Sequence, residues 1–233
     1  MRMMFMMSGG VESTGLIKHY LETTSHEIYV HYISHNNSEG RKEYEDFAVA
    51  ALIPLLQKIR PFNFDRSRLD LLSGRGLGWD YQVLYPIAMV AMRHHKCVQL
   101  HRGLCLEDNW VLRDGVIKKS TLAVDRSIHY ALRKAVGHML YEGETLDTVV
   151  PMLPEYTWAK AKYWAVLDDL APLTWSCRKP RNGNACGKCR SCMDRAAAAE
   201  GRSHVAEIDE GYKEWLRTLD PEERSRFYTG DFT

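Results

Sequence analysis

A short apolar run, Met3 to Met7, leads directly into Ser8-Gly9-Gly10-Val11-Glu12-Ser13-Thr14, and a helical pattern follows. An apolar run, a serine–glycine–glycine turn and a helix, in that order, are how an α/β fold builds a phosphate site. Glycines carry no Cβ, so backbone N–H groups can close around an anion. Ser13 and Thr14 fall where a helix would begin, and that helix would aim its positive dipole end at the same anion. An ordinary strand–turn–helix connection shares this outline, because Gly-Gly turns are common. The place behind the first strand and the hydroxyls on both sides of the glycines favour the phosphate site.

The next hundred residues repeat the alternation. Met3–Met7 reads as a first strand, with a helix from about Ser13 to Glu22. His26–Ile33 alternates and is rich in aromatic and β-branched residues, as a second strand would be. After a loop at Asn36–Gly40, Arg41 to Ile59 is helical, with Phe47, Ala51, Leu52, Leu55, Leu56 and Ile59 at helical spacing and Pro54 as a kink. Phe62–Phe64 reads as a short strand, Ser73–Gly78 as a glycine-rich loop, Tyr81–His95 as a buried helix and Cys97–Arg102 as another strand. Strands that alternate with helices predict a parallel sheet covered on both faces. Ligands of such sheets bind outside the carboxyl ends of the strands. Ser8–Ser13, Ser34–Asn37 and Gly103–Asp108 are therefore the expected pocket wall. The second half is mostly helical, at Thr121–Met139, at Thr157–Leu170, after Cys192 and at Asp209–Thr218.

Cys177, Cys186, Cys189 and Cys192 form a C-x8-C-x2-C-x2-C array, so four of the six cysteines fall within 16 residues. Two residues between cysteines let both thiolates bind one ion from a tight turn. The intervening residues, Pro180, Asn182, Gly183 and Gly187 among them, are turn formers. Four thiolates suit a closed tetrahedral Zn²⁺ site with no catalytic water, and the same set also serves an iron–sulfur cluster. Disulfides are not expected, since no signal peptide begins the chain. Cys97 reads as a core residue; Cys105 has no assigned role.

The 233 residues suffice for one large domain or two small ones, and no linker is visible. We expect a single domain, 1–233, with a metal knob at 174–195. A net charge of +1 gives no bulk attraction to nucleic acid or to an anionic membrane. No apolar stretch approaches the ~20 residues that span a bilayer. The expectation is a cytoplasmic protein.

The SGGxxS turn near the start and the cysteine array near the end resemble the PP-loop ATP pyrophosphatase superfamily, whose motif is SGGxDS. Within it the chain is most similar to the 7-cyano-7-deazaguanine synthase (QueC-like) family, whose knob has the form C-x(n)-CGxCxxC. Cys186-Gly187-Lys188-Cys189-Arg190-Ser191-Cys192 fits that form, with Cys177 as the first ligand. Trp158-Ala159-Lys160-Ala161, Tyr163-Trp164 and Leu173-Thr174-Trp175-Ser176-Cys177 look alike as well. The resemblance implies a Rossmann-like, adenine nucleotide alpha hydrolase-like α/β fold with a helical C-terminal part and a zinc knob. It implies ATP and Mg²⁺ as cofactors, with ATP held by Met7, Ser8, Gly9, Gly10, Val11, Glu12, Ser13 and Thr14. Ser8, Glu12 and Ser13 would be catalytic. The implied substrates are a deazapurine carboxylic acid and ammonia: ATP adenylates 7-carboxy-7-deazaguanine, ammonia converts the acyl adenylate to an amide, and a second activation yields the nitrile. A homodimer is implied too.

The chain departs from the family pattern in three places. The motif aspartate is Glu12, whose extra methylene moves the carboxylate by roughly an ångström, enough to cost about a hundredfold in rate. Gly78-Trp79-Asp80-Tyr81-Gln82 stands where the family usually carries glycine-arginine-asparagine, and Glu107–Asp114 replaces an Asp-x-Ser-Gly-Tyr-Pro-Asp stretch that lines the base pocket. Glu107, Asp108 and Asp114 suit a guanine-like edge or a solvated acidic loop, and Trp110 suits base stacking or loop packing. Arg113, Lys118 and Lys119 suit a phosphate or a solvated basic face. His94, His95 and His101 lack ligand spacing and read as structural. Arg178, Lys179, Arg181, Lys188 and Arg190 surround the knob, where they offset thiolate charge or touch RNA. Two further classes stay open: a tRNA-modifying PP-loop enzyme, and a degenerate relative that acts as a conjugating partner in phage defence.

Overall fold

A computed structural model describes residues 1–36, 39–70, 81–113, 116–119, 137–151 and 153–203. Four strands form one parallel sheet: β1 (Arg2–Met7), β2 (Glu27–Asn36), β3 (Asn63–Asp70) and β4 (Gln99–His101). Their order is β3-β2-β1-β4. The chain starts in the middle of the sheet, walks outward through β2 and β3, and returns across β1 to lay β4 on its other side. Met3 pairs with both Ile28 and Gln99, and Phe5 with Val30 and His101. The strand order therefore reverses between β1 and β4, and the crevice above that point is where such sheets take ligands.

The side chains of β1 alternate between two cores. Met3, Phe5 and Met7 enter one with α1 (Val11–Thr23) and α2 (Lys42–Ile59), whereas Met4 enters the other with α3 (Tyr81–His94) and Leu100. Burial on both faces explains the uninterrupted apolar run. Cys97 is buried beside Met4 as a core residue, and burial pushes its thiol up to about 11.

Several elements differ from the sequence expectation. The buried face of α2 is Ala48, Val49, Leu52, Ile53 and Leu56, while Phe47 is 75% exposed. The face turns because Ala48 and Val49 fill the space that the missing side chain of Gly9 leaves. The helix runs unbroken past Pro54. β3 extends over eight residues rather than three; it is a polar edge strand, and its charges guard the open edge. β4 is shorter than Cys97–Arg102. The helix expected over Thr157–Leu170 is a 3-10 turn at Pro154–Thr157, α5 (Lys160–Leu167) and a second 3-10 turn at Asp168–Leu173, divided where Asp168 takes φ 53°. Before it, α4 (Leu146–Val149) is capped by Thr145. After the knob, α6 spans Arg190–Ala199. The loop at Ser73–Gly78 and the helix at Asp209–Thr218 lie outside the described residues, as does the helix at Thr121–Met139 except for a 3-10 turn at Gly137–Met139. No helix among the described residues is long and apolar enough to cross a membrane.

His101 is fully buried against Phe5, with ring centroids 4.9 Å apart, and neither ring nitrogen has a partner. Burial, helped by His26, holds its pKa down at about 4. Folding therefore favours the neutral ring: the stability it permits is complete above the unfolded value of about 6.5 and falls as pH drops toward 4. Thermal melts of His101→Phe should show a flatter pH dependence between those values and equal or greater stability at pH 7, because an unsatisfied polar ring is replaced by a hydrocarbon one. An unchanged slope would refute this account.

Candidate active site and metal centre

Gly9 follows β1 at φ +74°, and a Cβ there would stand 3.2 Å from both Ala48 and Val49. Only glycine meets both constraints without strain. Gly10 is the N-cap of α1 and offers no side-chain cap, so the first-turn amides of the helix are left to face an anion. Ser8 and Ser13 close the loop: the Ser8 amide donates to Ser13 Oγ at 3.1 Å, the two hydroxyls lie 3.0 Å apart, and the Gly10 amide donates to Ser8 Oγ at 3.3 Å. Thr14 is buried in the first turn beneath them.

The loop after β4 crosses this helix head. A Cβ on Gly103 would lie 2.2 Å from the Ser13 nitrogen and 2.7 Å from the Glu12 carbonyl carbon. Both are backbone atoms of one helix turn and cannot swing aside. Gly103→Ala should therefore displace the head of α1, costing about 1–3 kcal/mol in thermal unfolding. An alanine variant with unaltered melting would show that the two segments are not in contact.

Glu12 reaches across the crevice. Its Oε1 lies 2.5 Å from Lys160 Nζ at the start of α5, and the Cys105 thiol donates to the same oxygen at 3.6 Å. Burial acts to raise the carboxyl, but the Lys160 charge outweighs it and holds Glu12 below the usual range. Burial likewise acts to lower Lys160, and Glu12 above all overcomes it, so the ammonium stays charged. Burial, then the charges of Asp108 and Glu12, raise Cys105 well above an ordinary thiol. It is a neutral donor here, and its amide donates to Asp108 Oδ2 at 3.0 Å. The longer side chain of Glu12 thus ends on a specific cation.

Glu107 is buried and works as a strut: it accepts from the Lys160 amide at 2.9 Å and from the Ser203 hydroxyl at 2.6 Å. Of the expected pocket wall, the loop after β1 and the loop after β4 meet. The end of β2 is joined to α2 and the knob instead: His35 lies 3.2 Å from Arg41, Arg41 pairs with Glu39, and Glu39 pairs with Arg178. Asn37 and Asp114 lie outside the described residues. Trp110–Arg113 and Val116–Lys119 pair as two antiparallel strands that carry Trp110, Arg113, Lys118 and Lys119. His95 bonds Asp65, in keeping with a structural role. Lys160 is not among the expected site residues, and Cys105 lies in the expected pocket wall without an assigned role. Their signal is weak in the sequence, because each acquires a role only when distant loops converge.

The four cysteines converge as their spacing implies. Cys177, Cys186, Cys189 and Cys192 bring their sulfurs within 4.8 Å of one another. Cys177 Sγ accepts from the Cys186 amide at 3.2 Å, and Cys186 Sγ accepts from the Cys189 amide at 3.3 Å. The amides of Lys188 and Cys189 lower the Cys186 thiol to about 6. A single ion with metal–sulfur bonds of about 2.3 Å needs tetrahedral edges of about 3.8 Å, and the 3.5 Å between Cys189 and Cys192 sulfurs is close to that. A four-iron cluster gives each thiolate its own iron and would hold the sulfurs further apart. The donor set therefore fits one metal ion. Of the surrounding cations, Arg190 Nε donates to both carboxylate oxygens of Asp194 at 2.8 Å and Arg178 pairs with Glu39, while Lys179, Arg181 and Lys188 are exposed.

Knob and glycine loop touch. The Trp175 amide donates to Gly9 O at 2.8 Å, its indole N–H donates to Cys177 O at 3.0 Å, and its ring stacks on Tyr44 with centroids 4.5 Å apart. From α6, Arg195 donates to Thr174 O at 2.6 Å and to Ala171 O at 3.2 Å.

Comparison with known proteins adds three findings. Residues 123–202 match the family described as queuosine biosynthesis protein QueC. A solved structure of the U34-tRNA thiolase NcsA from Methanococcus maripaludis, with its [4Fe-4S] cluster, is similar at a TM-score of 0.49 and 14% identity, over 94% of this chain and 73% of that one. No curated protein sequence matches.

Proposed function

We propose that this chain, whose residues 123–202 match the QueC family, is a QueC-like PP-loop enzyme that uses ATP to convert 7-carboxy-7-deazaguanine and ammonia into 7-cyano-7-deazaguanine. One observation carries the reading: an uncapped helix head, a glycine loop and a charge-paired lysine meet at the strand-order reversal. That is an anion site with no Walker lysine in the loop itself.

The substrate carboxylate attacks the α-phosphorus of ATP, an acyl adenylate forms and pyrophosphate leaves. Backbone amides of Ser8–Ser13 and the α1 head hold the charge that develops on the pyrophosphate. Lys160, kept protonated by Glu12, adds a fixed cation, and Glu107 fixes the backbone from which it projects. Ammonia then displaces AMP to give the amide. The amide oxygen attacks the α-phosphorus of a second ATP and releases a second pyrophosphate, and loss of AMP and a proton leaves the nitrile. Ser8 and Ser13 shape the loop and offer hydroxyls to phosphate oxygens. Mg²⁺ carried by the nucleotide would supply charge neutralisation at its phosphate oxygens. Zn²⁺ on Cys177, Cys186, Cys189 and Cys192 would be structural, since all four positions are filled by protein.

The deciding experiment is mass spectrometry of a reaction that holds the acid, ATP, Mg²⁺ and ammonia. AMP together with the nitrile is the expected result. The amide alone would restrict the chemistry to one activation. No conversion by folded, metal-loaded protein would overturn the substrate assignment and direct the search to tRNA and to protein acceptors.

A further inference from the structure

Arg102 stands at the carboxyl end of β4, one residue before the glycine that presses on the α1 head, and it is only 6% exposed. Its surroundings are aromatic. Nη1 donates to the Tyr85 hydroxyl, the guanidinium carbon lies 5.3 Å from the Tyr85 ring centroid and 6.0 Å from that of Tyr156, and its amide donates to the Tyr156 hydroxyl at 3.4 Å. Nε is buried without a partner, and no carboxylate among the described residues pairs with the side chain. The other arginines of this region all have acids or carbonyls: Arg41 has Glu39 and Glu45, Arg190 has Asp194, and Arg195 has the carbonyls of Ala171, Pro172 and Thr174. A guanidinium cannot shed its charge, so burying one without an acid is costly unless something else supplies the anion. The neutral tyrosines hold its plane without cancelling that charge.

We infer that Arg102 is a specificity residue that receives an oxyanion group, carboxylate or phosphate, of a ligand bound in the β1–β4 crevice. The inference rests on the proposed reading that this crevice takes anionic substrates. The guanidinium fork suits either group in a bidentate geometry that lysine cannot match. Among the described residues neither the glycine loop nor the cysteine array pairs with this side chain, which leaves its charge for the ligand.

The test is calorimetric titration of wild-type, Arg102→Met and Arg102→Lys proteins with MgATP, pyrophosphate, 7-carboxy-7-deazaguanine and uncharged 7-deazaguanine. Arg102→Met should lose about 10- to 100-fold in affinity for at least one anion, with 7-deazaguanine binding unmoved and Arg102→Lys recovering part of the loss. A loss confined to the acid assigns the residue to the carboxylate; one confined to MgATP and pyrophosphate assigns it to phosphate. A purely structural role would weaken charged and uncharged ligands alike, and that result, or unchanged affinity throughout, overturns the inference. If wild-type protein binds the phosphate ligands but not the acid, the proposed substrate falls while the phosphate arms still judge Arg102. Wild-type protein that binds none of the anions overturns both.

Discussion

Lys160→Met is expected to reduce turnover by about 10²- to 10³-fold, the cost typical of removing one preorganised electrostatic donor, and to lower stability by about 3–5 kcal/mol. The stability loss follows from what remains. Lys160 and Glu12 side chains are 6% and 17% exposed, so removing the cation strands a carboxylate where water solvates little of it. Lys160→Met combined with Glu12→Gln should regain much of the stability, since no charge is then left unpaired, yet should stay inactive. Stability regained without turnover would assign the lost activity to the charged pair and not to the fold. If the double variant recovers turnover as well, Lys160 serves the fold and not the reaction.

The same pair dictates a pH dependence. Glu12 is held below its ordinary carboxyl value by Lys160, so its contribution is fully present above the unfolded value of about 4.3 and is lost as pH falls through the lower folded value. Lys160 is raised, so its contribution is complete below about 10.4 and disappears only at higher pH. Acid denaturation of the wild type should therefore be steeper than that of the double variant, and urea melts at a series of acidic pH values measure the difference.

What could be read from the sequence was local. β1, the glycine turn and α1 announce themselves because strand, turn and helix signals follow one another within a few residues. The cysteines do so because two-residue gaps are themselves the geometry of an ion site. What could not be read depends on the return of β4 to the side of β1. Gly103 looks like any glycine after a strand until its α-carbon lies against the Ser13 amide. Glu107 looks like a solvated acid, yet it is buried under the start of α5. Lys160 and Glu12 meet only once α5 has packed on α1. Phe47 shows the limit of periodicity: a helical repeat offers neighbouring faces, and the partner decides which one is buried. β3 was underestimated because an edge strand need not be apolar.

Removing the metal should act on the nucleotide as well as on the knob. Chelation, or Cys177→Ser, is expected to lower the melting temperature and to weaken MgATP about tenfold or more, although no cysteine ligand belongs to the glycine loop proposed to hold the nucleotide. The connection is covalent and short. Cys177 is two residues from Trp175, whose amide holds Gly9 O and whose ring is pinned between Tyr44 and the Cys177 carbonyl. Free the cysteine and that segment loses its anchor; Gly9 then loses an acceptor contact that sets which way the loop amides face. Arg195 ties Thr174 to α6, so the rest of the fold should survive the loss. Trp175→Ala in metal-loaded protein tests the route: it should weaken MgATP to a similar degree while all four thiolates still hold one ion by mass spectrometry. Metal-free protein that binds MgATP with wild-type affinity would show that the knob and the loop are neighbours without being coupled, and would leave the ion a role in folding alone.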